Sequence, residues 1–289
     1  MIILFGSNGY IGSEFKRQLD ELKIKTYCFP DAKTTTFADL EKWYEQNNYI
    51  HINGVINAAG YTGKPNVDAC ELNKDDTIYG NVVWPQILTD WCMLNDIQLG
   101  HVSSGCIYSG MRSDDTPFTE EDEPNFTFKQ GNCSFYSGTK ALGEKVVSKW
   151  EKSYIWRLRI PFDEYDNPRN YITKMLKYKK LLDAKNSISN KTEFVSACIQ
   201  SFVKQIPWGI YNITNTGYIT TEYIIHKLKK TIAKDKIFEI VEDEEFYKSF
   251  AKTPRSNTVL DNSKLLSTGI KMSSVVSSLD YCLNNWRLN

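Results

Sequence analysis

Apolar positions in the first half of the chain fall into short runs separated by longer stretches of mixed character. "IILFG" (2–6), "KTYCF" (25–29), "GVINAA" (54–59) and "QLGHVSS" (98–104) are short and apolar enough to be buried strands. Residues 10–22, 37–47 and 73–95 between them read as helices. A fifth pair follows, "YSGTKALGEKVVSKW" (136–150) as helix and "YIWRLRI" (154–160) as strand. This alternation predicts βαβ units, and hence an α/β fold with a doubly wound parallel sheet.

The second half is less regular. "PFDEYDNPRN" (161–170) has turn chemistry, and "YITKMLKYKK" (171–180) is helical. "TEFVSACIQSFVKQ" (192–205) and "GIYNIT" (209–214) predict one more helix and strand returning to the sheet. A Thr-capped helix in "NTGYITTEYIIHKL" follows, then a strand at "KIFEIV", an acidic helix, the polar loop "AKTPRSN" and a C-terminal helix ending at Trp286.

Composition narrows the class. Among 289 residues, 35 basic side chains balance 35 acidic ones, so no global field points to nucleic acid or a membrane surface. An anionic partner has to be met by a local cluster. Seven scattered cysteines without a C-x-x-C predict free thiols in a reducing compartment. The three histidines are too far apart to suggest a metal site. No apolar run reaches the roughly 18 residues of a membrane span. The N-terminus enters a strand at once, without the basic region of a signal peptide, so a soluble cytoplasmic protein is expected.

The first chemical motif is "GSNGYIG". Gly6, Gly9 and Gly12 stand as G-x-x-G-x-x-G between a strand and a helix, with Ser7, Asn8, Tyr10 and Ile11 completing the loop. Gly6 permits a tight turn, Gly9 lets the main chain approach a pyrophosphate, and Gly12 lets helix and strand pack closely. This context predicts dinucleotide binding. "NAAG" (Asn57, Ala58, Ala59, Gly60) offers small residues against which a cofactor can lie. The second strand ends "YCFPDAK": Asp31 suits the ribose 2′-hydroxyl of NAD, whereas Lys33 or Arg17 suits a 2′-phosphate, and the residues leave both open. Residues 1–160 and 190–214 are expected to form the dinucleotide-binding domain, and 161–189 with 215–289 a smaller C-terminal substrate lobe.

Tyr136 and Lys140 are spaced to share one helical face, and Ser104 lies just past the fourth strand. A tyrosine hydroxyl beside an ammonium and a ribose is a usable acid at neutral pH, and Ser104 can bond the same carbonyl oxygen. An isolated Tyr-x-x-x-Lys is most often a surface pair; this one follows the strand that would place it at the cofactor.

The glycine triplet, "NAAG", the Ser104 region and "YSGTK" together resemble the extended short-chain dehydrogenase/reductases, whose fold is of the Rossmann type. "NAAGYTGKPNVDACE", "GCIYS", "EEDEPNFT", "SFYSGTKALGE", "RLRIPFDEYDNPRNYITKM" and "PRSNTVLD" are similar to the nucleotide-rhamnose synthase/epimerase-reductases, over nearly the whole chain. The segment after Cys106 departs from that pattern in loop length. The resemblance implies conversion of UDP-4-keto-6-deoxyglucose to UDP-L-rhamnose with NADPH, in a homodimer formed through the helices near 73–95 and 136–150.

It also implies roles for Cys106 and Lys174. A C4 ketone acidifies the protons on C3 and C5, and inverting those carbons needs an acid/base pair that reduction alone does not. Cys106 is one candidate member, since a thiol near cations titrates close to neutrality. Lys174 matches the second. Without the resemblance Cys106 reads as a small buried residue, and Cys133 is a weaker rival. Arg169 and Asn170 flank the Lys174 helix, Arg255 in "TPRSN" suits a diphosphate, and Thr62 and Lys64 follow "NAAG" toward a sugar. Alternative readings are a single-function 4-keto-sugar reductase, a GDP-sugar epimerase-reductase of the fucose-synthase type, and a non-catalytic cofactor-binding regulatory subunit.

Overall fold

The buried runs pair side by side in the order that the alternation demands. The computed structural model describes residues 1–30, 32–241 and 252–288. Strands β1 (Ile2–Phe5), β2 (Thr26–Cys28), β3 (Gly54–Asn57), β4 (Leu99–Ser104) and β5 (Ser153–Leu158) join the returning strand Gly209–Asn212 in one six-stranded sheet. Its order is Gly209–Asn212, β5, β4, β3, β1, β2, and every pairing is parallel. The strand order reverses at β1, which opens a crevice beyond the carboxyl ends of β1 and β3, the usual ligand position in such sheets.

Helices cover both faces, which is why β1 and β3 are apolar without alternation. On one side Phe15 and Leu19 of the Gly12–Glu21 helix and Phe194, Cys198 and Phe202 of the Lys191–Val203 helix pack around Trp156. On the other, Leu40, Trp84, Leu88, Trp91 and Val147 close over Ile3, Phe5 and Val55. A third buried cluster lies among elements beyond residue 160, where Phe162, Ile172, Ile219, Ile224, Leu279 and Leu283 meet. It joins the helices Tyr171–Lys177, Thr221–Lys230 and Val275–Asn284. Thr220 caps the second of these by accepting from the Tyr223 amide.

The expected 73–95 helix is divided. Short helices Ala69–Leu72 and Lys74–Ile78 lead into a π-helical turn, Tyr79–Val83, before the helix Trp84–Leu94. Pro85 is the cause: it has no N–H to give to the Asn81 carbonyl, so the regular ladder fails there. The Phe135–Val147 helix uses the gap, because Gly143 approaches so closely that a Cβ on it would stand 2.2 Å from the Asn81 oxygen. The fifth strand ends at Leu158, and at Ile160 the backbone turns to φ 38° before Pro161. The C-terminal helix stops at Asn284, earlier than expected. The acidic helix lies outside the described residues. No described helix is long and apolar enough to cross a membrane.

Candidate active site

A cavity of about 1020 Å³ opens at the carboxyl end of the sheet, against the elements beyond residue 160. Gly9, Ser104, Cys106, Tyr136, Lys140 and Lys174 all line it, as do Thr62, Arg169 and Arg255. A second cleft of about 290 Å³ shares Gly9 and Ala58–Gly60 with it and extends past Ser7 and Asn8 to Pro30 and Lys33.

The glycine loop makes the junction. Gly6 has φ 77°, and a Cβ on it would meet the Ala59 nitrogen at 2.6 Å. On Gly12 a Cβ would lie 1.9 Å from the Gly6 oxygen. Loop, helix and "NAAG" therefore touch as backbones beside the cleft that Gly6, Ser7, Asn8 and Gly9 line. This cradle fits a dinucleotide's phosphates. Lys33 lines the smaller cleft and pairs with Asp76 at 2.8 Å. Arg17 corrects one expectation: its guanidinium is held by Glu14 at 2.6 Å and Glu21 at 2.5 Å, and it lines neither cleft. Asp31 lies outside the described residues.

Ser134 starts the Phe135–Val147 helix by accepting from the Ser137 amide at 3.2 Å, and this turns Tyr136 and Lys140 into the cavity together. Lys140 Nζ donates to the Val102 carbonyl at 3.0 Å, which ties the helix to β4. Burial lowers its ammonium to about 8, against the opposing pull of Cys106 and Glu144. Burial pushes the Tyr136 phenol well up, against the opposing pull of the nearby Ser104 hydroxyl, so it carries its proton at neutral pH. One helical turn, Gly105–Ile107, follows Ser104, whose oxygen accepts from the Cys106 amide at 3.3 Å. Burial raises the Cys106 thiol above its ordinary value, and the hydroxyls of Ser104 and Ser137 with the cations Arg159 and Lys140 pull it only part of the way back. Cys133 does not line the cavity.

Lys174 projects from the Tyr171–Lys177 helix, and burial, then Arg169 and Arg255, lowers its ammonium. Asn170 is a second correction: it is fully buried, lies off the cavity, caps that helix at the Ile172 amide (2.9 Å) and donates to Asp163 at 2.6 Å. Lys64 is exposed and also lies off the cavity, although Asn66 and Val67 after it do line it. Arg169 reaches back to the Gly63 carbonyl at 2.8 Å. Arg255 pairs with Asp68 at 2.7 Å. Burial acts to raise the Asp68 carboxyl, but the bonds from Arg255 and Thr253 hold it below its ordinary value.

Other residues at the site have no counterpart in the motif reading. Arg159 and Tyr171 line the cavity; burial lowers the first to about 10 and pushes the second up to about 12. Asn81 bonds both the amide and the carbonyl of Tyr61, each at 2.9 Å, and fixes the loop after "NAAG". Beneath β4, Glu144 joins Arg157 (2.8 Å) and the Ser103 hydroxyl (2.6 Å), and Arg157 donates to Tyr108 at 3.0 Å. The signal for this layer was two arginines at alternate positions of an apolar strand, "RLR".

The chain is 33% identical over 286 residues to a bifunctional dTDP-4-dehydrorhamnose 3,5-epimerase/dTDP-4-dehydrorhamnose reductase of Arabidopsis thaliana, covering 96% of this chain and 90% of that one. It is 36% identical to a trifunctional UDP-glucose 4,6-dehydratase/UDP-4-keto-6-deoxy-D-glucose 3,5-epimerase/UDP-4-keto-L-rhamnose-reductase of the same plant, matching 96% of this chain and 41% of that longer one. Among solved structures, a UDP-rhamnose synthase from Acanthamoeba polyphaga mimivirus superposes with a TM-score of 0.88 at 23% identity, covering 98% of both chains. A dTDP-4-dehydrorhamnose reductase from Bacillus anthracis, in complex with NADP, does so at 0.78 and 19% identity, covering 99% of this chain and 97% of that one. The model of the RmlD substrate binding domain family matches residues 1–288, and the chain belongs to that family of oxidoreductase relatives.

Proposed function

We propose that the chain is a bifunctional 3,5-epimerase/4-reductase that converts UDP-4-keto-6-deoxyglucose to UDP-L-rhamnose. The observation that carries this reading is the convergence of Ser104, Cys106, Tyr136, Lys140 and Lys174 on one cavity. The glycine loop and Lys33, which line the smaller cleft, would hold NADPH, whose chemistry would be to supply the hydride for C4. Tyr136 keeps its proton at neutral pH and gives it to the C4 oxygen as reduction proceeds, while Ser104 bonds the same oxygen. Lys140 holds Tyr136 and the cofactor ribose in register from its anchor on Val102.

Epimerisation comes first, because reducing C4 removes the acidity of its neighbours. Cys106 and Lys174 serve as the acid/base pair: one removes a proton from C3 or C5, and the other returns a proton to the opposite face. The enolate oxygen is held meanwhile by Tyr136 and Ser104. Arg169 and Arg255 meet the diphosphate, and Thr62 the sugar. Residues 161–189 and 215–289 supply the substrate side, and residues 1–160 with 190–214 the cofactor side. A homodimer fits the exposed apolar side chains Leu72, Ile78, Val83 and Leu142 on the helices expected to pair.

Incubation with UDP-4-keto-6-deoxyglucose and NADPH tests the reading. NADPH oxidation that yields a UDP-linked sugar of L-rhamno configuration supports it. Oxidation to an unepimerised 6-deoxy sugar reduces the protein to a 4-reductase, and absence of any oxidation rejects both.

A further inference from the structure

Arg159, just beyond β5, is 5% exposed and lines the cavity. Its guanidinium donates to two neutral acceptors, Asn186 Oδ1 at 2.5 Å and the Ser256 carbonyl, and its Nε has no hydrogen-bond partner among the described residues. Its stem lies against the residue before Cys106: a Cβ on Gly105 would sit 3.4 Å from Arg159 Cδ. No carboxylate bonds it among the described residues, and the groups around it that can become anions are Cys106, Tyr171 and Tyr136. Arg157, within β5, shows the contrast, since Glu144 meets its guanidinium at 2.8 Å. A buried cation without a counter-ion is costly, and an anion that forms beside it relieves the cost.

We propose that Arg159 is a positioning residue for proton abstraction: its guanidinium is the counter-charge for the Cys106 thiolate, the form that takes the proton from C3 or C5. This inference rests on the epimerase reading above. The thiol first releases its proton to solvent. The thiolate then forms an S–H bond as the sugar C–H bond breaks, the C–H electron pair becomes the enolate C=C bond, and the carbonyl π pair moves to oxygen. Negative charge passes from sulfur to oxygen inside one pocket, and no oxidant or reductant takes part. The groups facing Cys106 are the Ser104 and Ser137 hydroxyls, the cations Arg159 and Lys140, the Tyr136 phenol, and the thiols of Cys70 and Cys133. Of the two cations Lys140 is committed to the Val102 carbonyl, whereas the Arg159 guanidinium meets only neutral acceptors.

The test is the pH dependence of Cys106 alkylation by iodoacetamide in the NADP⁺-loaded protein, followed by peptide mass mapping so that the other thiols do not interfere. In Arg159→Gln the inflection should rise by about one pH unit or more, the usual effect of losing a nearby opposite charge. Asn186→Asp, which sets a carboxylate beside an intact guanidinium, should raise it independently. Arg159→Lys should keep it close to wild type. Deuterium exchange into C3 and C5 at neutral pH should fall about ten-fold in Arg159→Gln, in step with the thiolate fraction. An inflection unmoved by both Arg159→Gln and Asn186→Asp, in a protein that exchanges deuterium at both carbons, overturns the Arg159 inference alone. A responsive inflection in a protein that exchanges none sinks the epimerase reading instead.

Discussion

Replacing Glu144 with Ala tests whether the buried layer beneath β4 holds the site in place. Glu144 lies one turn beyond Lys140, and its carboxylate receives Arg157 Nη2 at 2.8 Å, Arg157 Nε at 3.1 Å and the Ser103 hydroxyl at 2.6 Å. Arg157 is only 2% exposed, so the substitution strands a guanidinium that water cannot reach. Removing one partner of a buried ion pair costs about 3–5 kcal/mol. For a chain of 289 residues, an unfolding entropy of about 2.1 cal/mol/K per residue converts this to a fall in Tm of about 5–8 °C. Guanidinium denaturation followed by tryptophan fluorescence reads the stability, and calorimetry the Tm. The paired change Glu144→Leu with Arg157→Met should recover most of the loss, because an apolar pair of similar volume is close to neutral. A loss in Glu144→Ala below about 1 kcal/mol would refute the reasoning, since it would mean that Arg157 finds solvent or another partner at little cost.

Further expectations follow from the same geometry. Gly12→Ala should weaken NADPH binding at least about ten-fold by calorimetry, because its Cβ lands 1.9 Å from the Gly6 oxygen; an unchanged Kd counts against the phosphate cradle. The reduction rate should fall above pH about 8, where Lys140 loses its proton, and this limb should be missing from the residual activity of Lys140→Met. For stability the sign is opposite: a lysine held below its ordinary 10.5 takes up a proton on unfolding, so its contribution rises with pH between about 8 and 10.5. Tyr136→Phe should keep NADPH affinity and lose roughly two orders of magnitude in reduction, and near-normal oxidation would remove Tyr136 from its role. Asp68→Asn should raise KM for the nucleotide sugar several-fold while leaving KM for NADPH alone, because it removes the ion pair that orients Arg255; equal effects on both would contradict that assignment.

The parts that local physics dictates were legible in the sequence. The strands could be read because buried parallel strands are apolar throughout, and the cradle because only glycine tolerates the backbone approach at Gly6 and Gly12. Ser104, Tyr136 and Lys140 followed from helical spacing after a strand. What escaped depends on tertiary neighbours. The π-helical turn arises because Pro85 withholds a donor from Asn81 and because Gly143, on a distant helix, fits against the freed carbonyl. Asn170 looked available for substrate, yet "DNPRN" folds so that Asp163 and the start of the next helix consume its side chain. The pairing of Arg255 with Asp68 joins segments that no spacing rule connects. Arg159 was hidden for a related reason: a charge at the end of an apolar run signals a buried partner without saying which one, and among the described residues no carboxylate bonds it.

The central claim is that Cys106 moves protons on the sugar before Tyr136 completes its reduction. The direct test is to run the reaction in deuterated water with NADPH and read the product by NMR, comparing wild type with Cys106→Ser. Serine keeps the shape of the thiol, but its hydroxyl is far too weak an acid to exchange its role with a thiolate. The account predicts UDP-L-rhamnose labelled at C3 and C5 from the wild type, with labelling lost and cofactor binding retained in Cys106→Ser. Deuterium at both carbons at the wild-type rate in Cys106→Ser would contradict it and return Cys106 to packing.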